Sequence, residues 1–302
     1  MEHNKIISRS YQNSDYEKII KFLRSVLLTE SKRTCWLPQK WEYAEYLVNP
    51  LNLDIGKQVE SWHSKIQIWE QGGEIVAICH NESDTSAFFE IKKGYENLYP
   101  EMLDWTEQNI AKELNVFAMD SLPYQQEELL RRGYKIVEEP TYQNVQCTKD
   151  NDYMPVLLDG LEFVDANDVS DFSIRQMAVH RGFHPEDKEI NPQYINSFKA
   201  MESAPMFRKG FEVMIKDSEI CIAFTVAWID QESNTALIEP MSVWPEYQGK
   251  GLGKQLVLEV LRRLKSAGIN TVYVESYNDN RKAFYNKCGF STYDKVLMYK
   301  KS

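Results

Sequence analysis

The run MSVWPEYQGKGLGKQL, residues 241–256, passes from an apolar, strand-like segment through Gln248-Gly249-Lys250-Gly251-Leu252-Gly253 into an amphipathic helix predicted over 251–267. In that helix Leu256, Val257, Val260, Leu261, Leu264 and Ala267 recur at steps of three and four, giving one apolar face, and Gly268 stops it. Glycine tolerates the backbone turns that aim successive N–H groups at one point, and it lets a ligand approach closely. The helix N-terminus adds amides without intrahelical acceptors and the positive end of the dipole. Together these make an anion cradle suited to a diphosphate. Single residues exclude two other cradles. A P-loop needs Gly at 248 and Ser or Thr at 255, where Gln248 and Gln255 stand. A dinucleotide fingerprint needs Gly or Ala at 254, where Lys254 stands.

What fits is Q-x-x-G-x-G, and a second run, NDNRKAFYNKCGF (278–290), follows downstream. The two together resemble the motifs of the GNAT acetyltransferase superfamily, with Gln248, Gly251 and Gly253 on its pattern for the coenzyme A diphosphate. The likeness is strong over roughly 234–292, moderate back to 160, and only architectural before that. It implies acetyl-CoA as co-substrate, with no metal. It also implies a binding surface of Met241, Val243, Gln248, Gly249, Lys250, Gly251, Leu252, Gly253 and Lys254, joined by Ala283 and an asparagine that is either Asn278 or Asn280.

The expected chemistry is direct attack of an amine on the thioester, without a covalent enzyme intermediate. Pro240 cannot donate to a sheet ladder, so it marks an edge or a bulge. In the family a bulge there splays two parallel strands around the pantetheine arm, and a backbone N–H near Met241 or Val243 polarises the carbonyl. A lysine-like amine, with a pKa near ~10.4, costs about 4–5 kcal/mol to deprotonate at pH 7, so a carboxylate base is needed. Strand alternation puts Glu239 on the face of Met241 and Val243, making it the first candidate; Glu275 is the second. Tyr285 occupies the family's general-acid position, where it would reprotonate the coenzyme A thiolate. Met177, His180, Arg181, Phe183 and His184 fall where such enzymes shape the acceptor pocket.

An internal repeat sets the architecture. IQIWEQGGEIVAICH (66–80) and FEVMIKDSEICIAFTV (211–226) both read as hairpins, each preceded by a short strand and an amphipathic helix. Each half closes on a helix and a Gly-aromatic pair, LLRRGY (129–134) and YNKCGF (285–290), and KDNDYMP (149–155) reads as a linker. The expected fold is α+β, with two tandem acyl-CoA N-acyltransferase-like domains at 1–148 and 155–302. Each would be a mixed, mostly antiparallel sheet flanked by helices. The first half lacks the chemistry: FFEIKKGYENLYPEML (88–103) offers only Gly94, and Leu129 stands opposite Tyr285. It is expected to be degenerate and non-catalytic.

Composition narrows the partners. The net charge of −10 disfavours nucleic acid, yet residues 245–302 carry eleven Lys and Arg against five Asp and Glu, which agrees with a local anion site. Five cysteines without C-x-x-C spacing argue against disulfides and zinc and fit a reducing cytoplasm. No apolar run is long enough for a membrane span, and the first residues do not resemble a secretion signal. The expectation is a cytoplasmic N-acetyltransferase acting on a small-molecule or protein amine. The rival is a non-catalytic acyl-CoA sensor that regulates a partner.

Overall fold

A computed structural model of the chain describes residues 5–29, 34–54, 62–110, 113–137, 139–187, 189 and 195–301. The first half runs β1 (Ile6–Ser10), α1 (Tyr16–Leu28), α2 (Pro38–Tyr43), α3 (Asn49–Asp54), β2 (Gln67–Gln71), β3 (Glu74–His80), β4 (Ser86–Ile91), α4 (Tyr99–Asn109), β5 (Asn115–Met119), α5 (Pro123–Arg131), β6 (Tyr134–Ile136) and β7 (Thr141–Cys147). The second half follows the same plan: β8 (Leu161–Asp165), α6 (Phe172–Phe183), α7 (Ile195–Glu202), β9 (Glu212–Asp217), β10 (Ile220–Asp230), β11 (Thr235–Val243), α8 (Leu252–Ser266), β12 (Thr271–Ser276), α9 (Asp279–Lys287) and β13 (Ser291–Lys301). The α+β reading holds. Among the described residues most strand pairs are antiparallel, and each half contains a parallel step, β4 with β5 and β11 with β12.

Two compact units arise from this chain. One comprises Met1–Trp41, Gln58–Gln143 and Tyr293–Ser302; the other comprises Glu42–Lys57 and Asn144–Thr292. In the first, β1 to β5 lie in sequence order and β13 follows β5, with Val296–Lys300 antiparallel to Asn115–Met119. The end of the chain therefore completes the sheet of the first unit. Its core gathers Phe89, Met102, Leu103, Ala118, Leu129 and Tyr299.

In the second unit the order is β8-β9-β10-β11-β12, with β7 beyond β12. Asn144 on β7 donates through Nδ2 to the Val274 carbonyl, 3.2 Å, and to Ser276 Oγ, 2.8 Å. The period of two along the strands feeds two cores. Val213, Ile215, Ala227 and Ile229 face the apolar stripe of α8, while Met214, Phe224, Val226 and Trp228 face the side of α6 and α7. Gly268, at a φ of 78°, follows the end of α8 as predicted.

A buried ion pair anchors α6 to this sheet. Arg175 is fully buried between the Phe172 and Phe198 rings and donates to Glu212 through Nε, 2.6 Å, and Nη2, 2.5 Å; its Nη1 donates to Glu202, 2.6 Å. Removing one partner strands the other charge away from water. We therefore expect Arg175→Met to destabilise the fold by about 3–5 kcal/mol, and a double change with Glu212→Leu to recover most of it. Urea unfolding of the three proteins checks this; equal losses in single and double variants would contradict it.

Candidate active site

The glycine loop has the conformation that its sequence demands. Gly249 and Gly251 sit at φ of 74° and 82°, and a Cβ at either would meet nothing within 4 Å, so the space before them is open. Gly251 caps α8 in the left-handed region. The first intrahelical bond recorded here runs from Gln255 N to Gly251 O, 3.3 Å, so the amides of Leu252, Gly253 and Lys254 have no acceptor within the helix. Leu252 itself is buried, so only its backbone can serve a ligand. Gly253 is glycine for a packing reason, because a Cβ there would stand 3.0 Å from Met241 Cε and 3.4 Å from Phe284 Cζ. Gln248, although exposed, donates through Nε2 to the Val243 carbonyl, 2.9 Å, closing the loop onto the end of β11. Lys250 lies 4.8 Å from the Tyr247 ring centroid. These features fit a diphosphate.

The strand before the loop opens a wedge. The parallel pairing of β11 with β12 is recorded at Thr235–Thr271, Ala236–Val272 and Leu237–Tyr273, although β11 continues to Val243 and β12 to Ser276. Against β10, Ala227 pairs with Ile238 but Thr225 pairs with Met241, so Glu239 and Pro240 both face the single residue Val226. Pro240 thus occupies a bulge, one of the two placements it allowed. Two side chains of β10 hold the bulge: Trp228 Nε1 donates to the Glu239 carbonyl, 2.7 Å, and Thr225 Oγ1 to the Pro240 carbonyl, 3.1 Å.

That bulge corrects the alternation argument for Glu239. Ala236 and Ile238 face the α8 core, and so do Met241 and Val243. The extra residue moves the phase by one, so Glu239 does not share their face. Its carboxylate turns instead to Tyr277, whose hydroxyl donates to Glu239 Oε1 at 3.1 Å and lies 3.3 Å from Glu275 Oε2. The two candidate carboxylates therefore meet at one phenol that the sequence reading passed over. Strand register would have found it, since Glu239 and Glu275 each lie two residues beyond the last parallel pair.

Tyr285 is 8% exposed, with its hydroxyl 3.7 Å from Met241 Sδ and its ring edge-on to Phe284 and Phe290. Burial first, and then the negative charge of Glu239, hold its phenol above the usual range. Asn278 caps α9, accepting from Arg281 N at 2.9 Å, whereas Asn280 is exposed in the first turn and Ala283 is exposed further along. Burial lifts the Cys288 thiol to about 11, which suits a core residue and not a nucleophile.

On the other side of β11, α6 comes close. Ser242 Oγ donates to the Ala178 carbonyl, 3.0 Å, and a Cβ on Gly182 would fall on Ser242 Cβ, with Ser242 Oγ at 2.9 Å. We expect Gly182→Ala to destabilise by about 1–3 kcal/mol net of its better helix propensity, because the overlap forces α6 away from β11. Thermal unfolding checks it, and an unchanged or raised Tm would show that the contact yields freely. Of the residues placed near an acceptor, Arg181 pairs with Glu246 and lies 4.5 Å from the Trp244 ring centroid. His180 Nε2 is 2.8 Å from Asp187 and its ring stacks on His184 at 4.6 Å, while Met177 packs on the core and Phe183 is exposed.

The first half repeats the wedge without the loop. Its β4 and β5 pair at Ser86–Asn115 and Ala87–Val116, which places Glu90 at the register position of Glu239. Glu90 is fully buried and accepts from Cys35 N, 3.2 Å, and Trp36 N, 3.0 Å; burial raises its carboxyl to about 8. Leu129, opposite Tyr285, is a core residue. Among the described residues, no group of three or more His, Cys, Asp or Glu could hold a metal ion, and no helix is long and apolar enough to cross a membrane.

Comparison with known proteins bears on the second half most directly. Residues 174–290 match the profile of the acetyltransferase (GNAT) family. A mycothiol acetyltransferase of Streptomyces griseus is 32% identical over 130 residues, 41% of each chain, so this chain spans about two fifths of the length of that relative. An uncharacterised N-acetyltransferase of Bacillus subtilis is 37% identical over 70 residues, 23% of this chain and 27% of that protein. Among solved structures, a tandem GNAT protein from the clavulanic acid biosynthesis pathway superposes with a TM-score of 0.66 at 10% identity, covering 99% of this chain and 98% of that one. The GCN5-related N-acetyltransferase of Sphaerobacter thermophilus gives 0.64 at 13% identity over 98% and 95%. At such identities these two structures speak for the fold alone.

Proposed function

We propose, from the premise that the second half of the chain carries a domain of the acetyltransferase (GNAT) family, that the protein transfers acetyl from acetyl-CoA to a primary amine. The single observation that carries the reading is the conjunction of the open glycine loop with the parted strands β11 and β12 directly before it. The loop amides of residues 251–254 bind the diphosphate, with Gln248 holding the loop against Val243. Acetyl-CoA supplies the thioester that the amine attacks. Glu239, with Glu275 beside it, takes the proton that the amine sheds on attack. Tyr285, a phenol that burial and then the Glu239 charge hold above its usual range, keeps a proton to give to the departing sulfur. The first half we read as non-catalytic: its Glu90 is bonded to its own chain and its Leu129 has no proton to give.

The acidic chain and the paired carboxylates favour a cationic amine. A screen of polyamines, aminoglycosides, amino sugars and lysine peptides, read by release of the coenzyme A thiol, tests the proposal. Turnover of at least one amine is the expected result. Tight acetyl-CoA binding with no turnover across the screen would instead favour a sensor.

A further inference from the structure

Tyr277 links two groups that the parted strands would otherwise separate. Continuing the register of β11 and β12 past Leu237 and Tyr273 brings Glu239 level with Glu275, beyond the last pair recorded between these strands. The Tyr277 oxygen bridges the interval, 3.1 Å from Glu239 Oε1 and 3.3 Å from Glu275 Oε2. A phenol has one hydrogen to donate and an oxygen that also accepts. It therefore satisfies both carboxyl groups best when one of them carries a proton and donates back, so that the three groups form one hydrogen-bonded chain. Glu275 is 8% exposed and Tyr277 47%, which puts the middle of this chain at the water. Among the described residues the charged groups near it include Arg281, whose guanidinium lies 5.7 Å from the Tyr277 ring centroid, and the charge of Glu239 reaches as far as the buried Tyr285 phenol.

We propose that Tyr277 is a relay and positioning residue, which hands the proton collected at Glu239 on to Glu275 and restores the base for the next turnover. This rests on the reading of Glu239 as the base. An N–H bond of the attacking amine breaks as a Glu239 O–H forms. That O–H then breaks as a new Tyr277 O–H forms, while the original Tyr277 O–H breaks and a Glu275 O–H forms. One proton has moved from Glu239 to Glu275, the phenol is unchanged, and the proton then leaves Glu275 for water at the exposed middle of the chain, beside Tyr277.

The full-length protein tests this in two ways. In a sample carrying 13C at tyrosine Cζ, the Tyr277 resonance is the one missing from Tyr277→Phe. At pH 7 we expect it to shift in Glu239→Gln and, separately, in Glu275→Gln. In turnover with acetyl-CoA and whichever of spermidine, glucosamine and kanamycin is acetylated fastest, we expect Tyr277→Phe to lower kcat/KM about 10- to 100-fold and move the acid limb of its pH profile. The KM for acetyl-CoA should not change. A 3-fluorotyrosine at 277, a more acidic phenol, should restore turnover with the alkaline limb displaced to lower pH. A Cζ resonance indifferent to either glutamate change overturns the relay. So does a Tyr277→Phe profile that superposes on the wild type while Glu239→Gln loses turnover, an outcome that leaves the base assignment standing. Full turnover in Glu239→Gln overturns the base assignment, and the relay with it.

Discussion

Gly251→Asp is expected to abolish acetyl-CoA binding, with affinity by isothermal titration falling more than 100-fold, or about 3 kcal/mol. Two costs combine. The residue sits at a φ of 82°, where any L side chain is strained by about 1–2 kcal/mol. A carboxylate added there would also face the proposed diphosphate, beside the helix end that attracts negative charge. Gly251→Ala separates the two. Its Cβ meets nothing within 4 Å, so it carries the strain alone and should weaken binding only about tenfold. Affinity within twofold of wild type for the Asp variant would show that the coenzyme does not lie on this loop.

Tyr285→Phe is expected to lower kcat by about 10–1000-fold while acetyl-CoA binds as before. The ring keeps its edge contacts with Phe284 and Phe290, and only the hydroxyl beside Met241 is lost. Because burial and the Glu239 charge hold the wild-type phenol above its usual value of about 10, it contributes no alkaline limb at or below that pH. Stopped-flow turnover of both proteins across the pH range is the check. An unchanged kcat would remove Tyr285 from proton transfer and leave it a packing residue.

Much of this site is legible in the sequence because glycine, proline and helix caps act locally. The loop at 248–253, the helix that follows it and the break at Pro240 need only the residues on either side. What is not legible depends on pairing at a distance. The phase of Glu239 depends on one extra residue opposite Val226, which no alternation within β11 reveals. Tyr277 becomes interesting only when two strands bring Glu239 and Glu275 to the same level. Glu90 hides in the same way: read alone, FFEIKK is an ordinary strand, and only the pairing of Ser86 with Asn115 aligns its glutamate with Glu239.

The pairing of β13 with β5 bears on how this gene can be divided. A fragment ending at the polar linker lacks residues 296–300, leaving the outer hydrogen-bonding row of Asn115–Met119 open to whatever strand it meets. Such a piece invites aggregation, and a stop codon near the C-terminus harms the folding of residues encoded almost two hundred codons earlier. During synthesis the first sheet stays one strand short until residues 296–300 have been made, so the two halves of the message share a single fate.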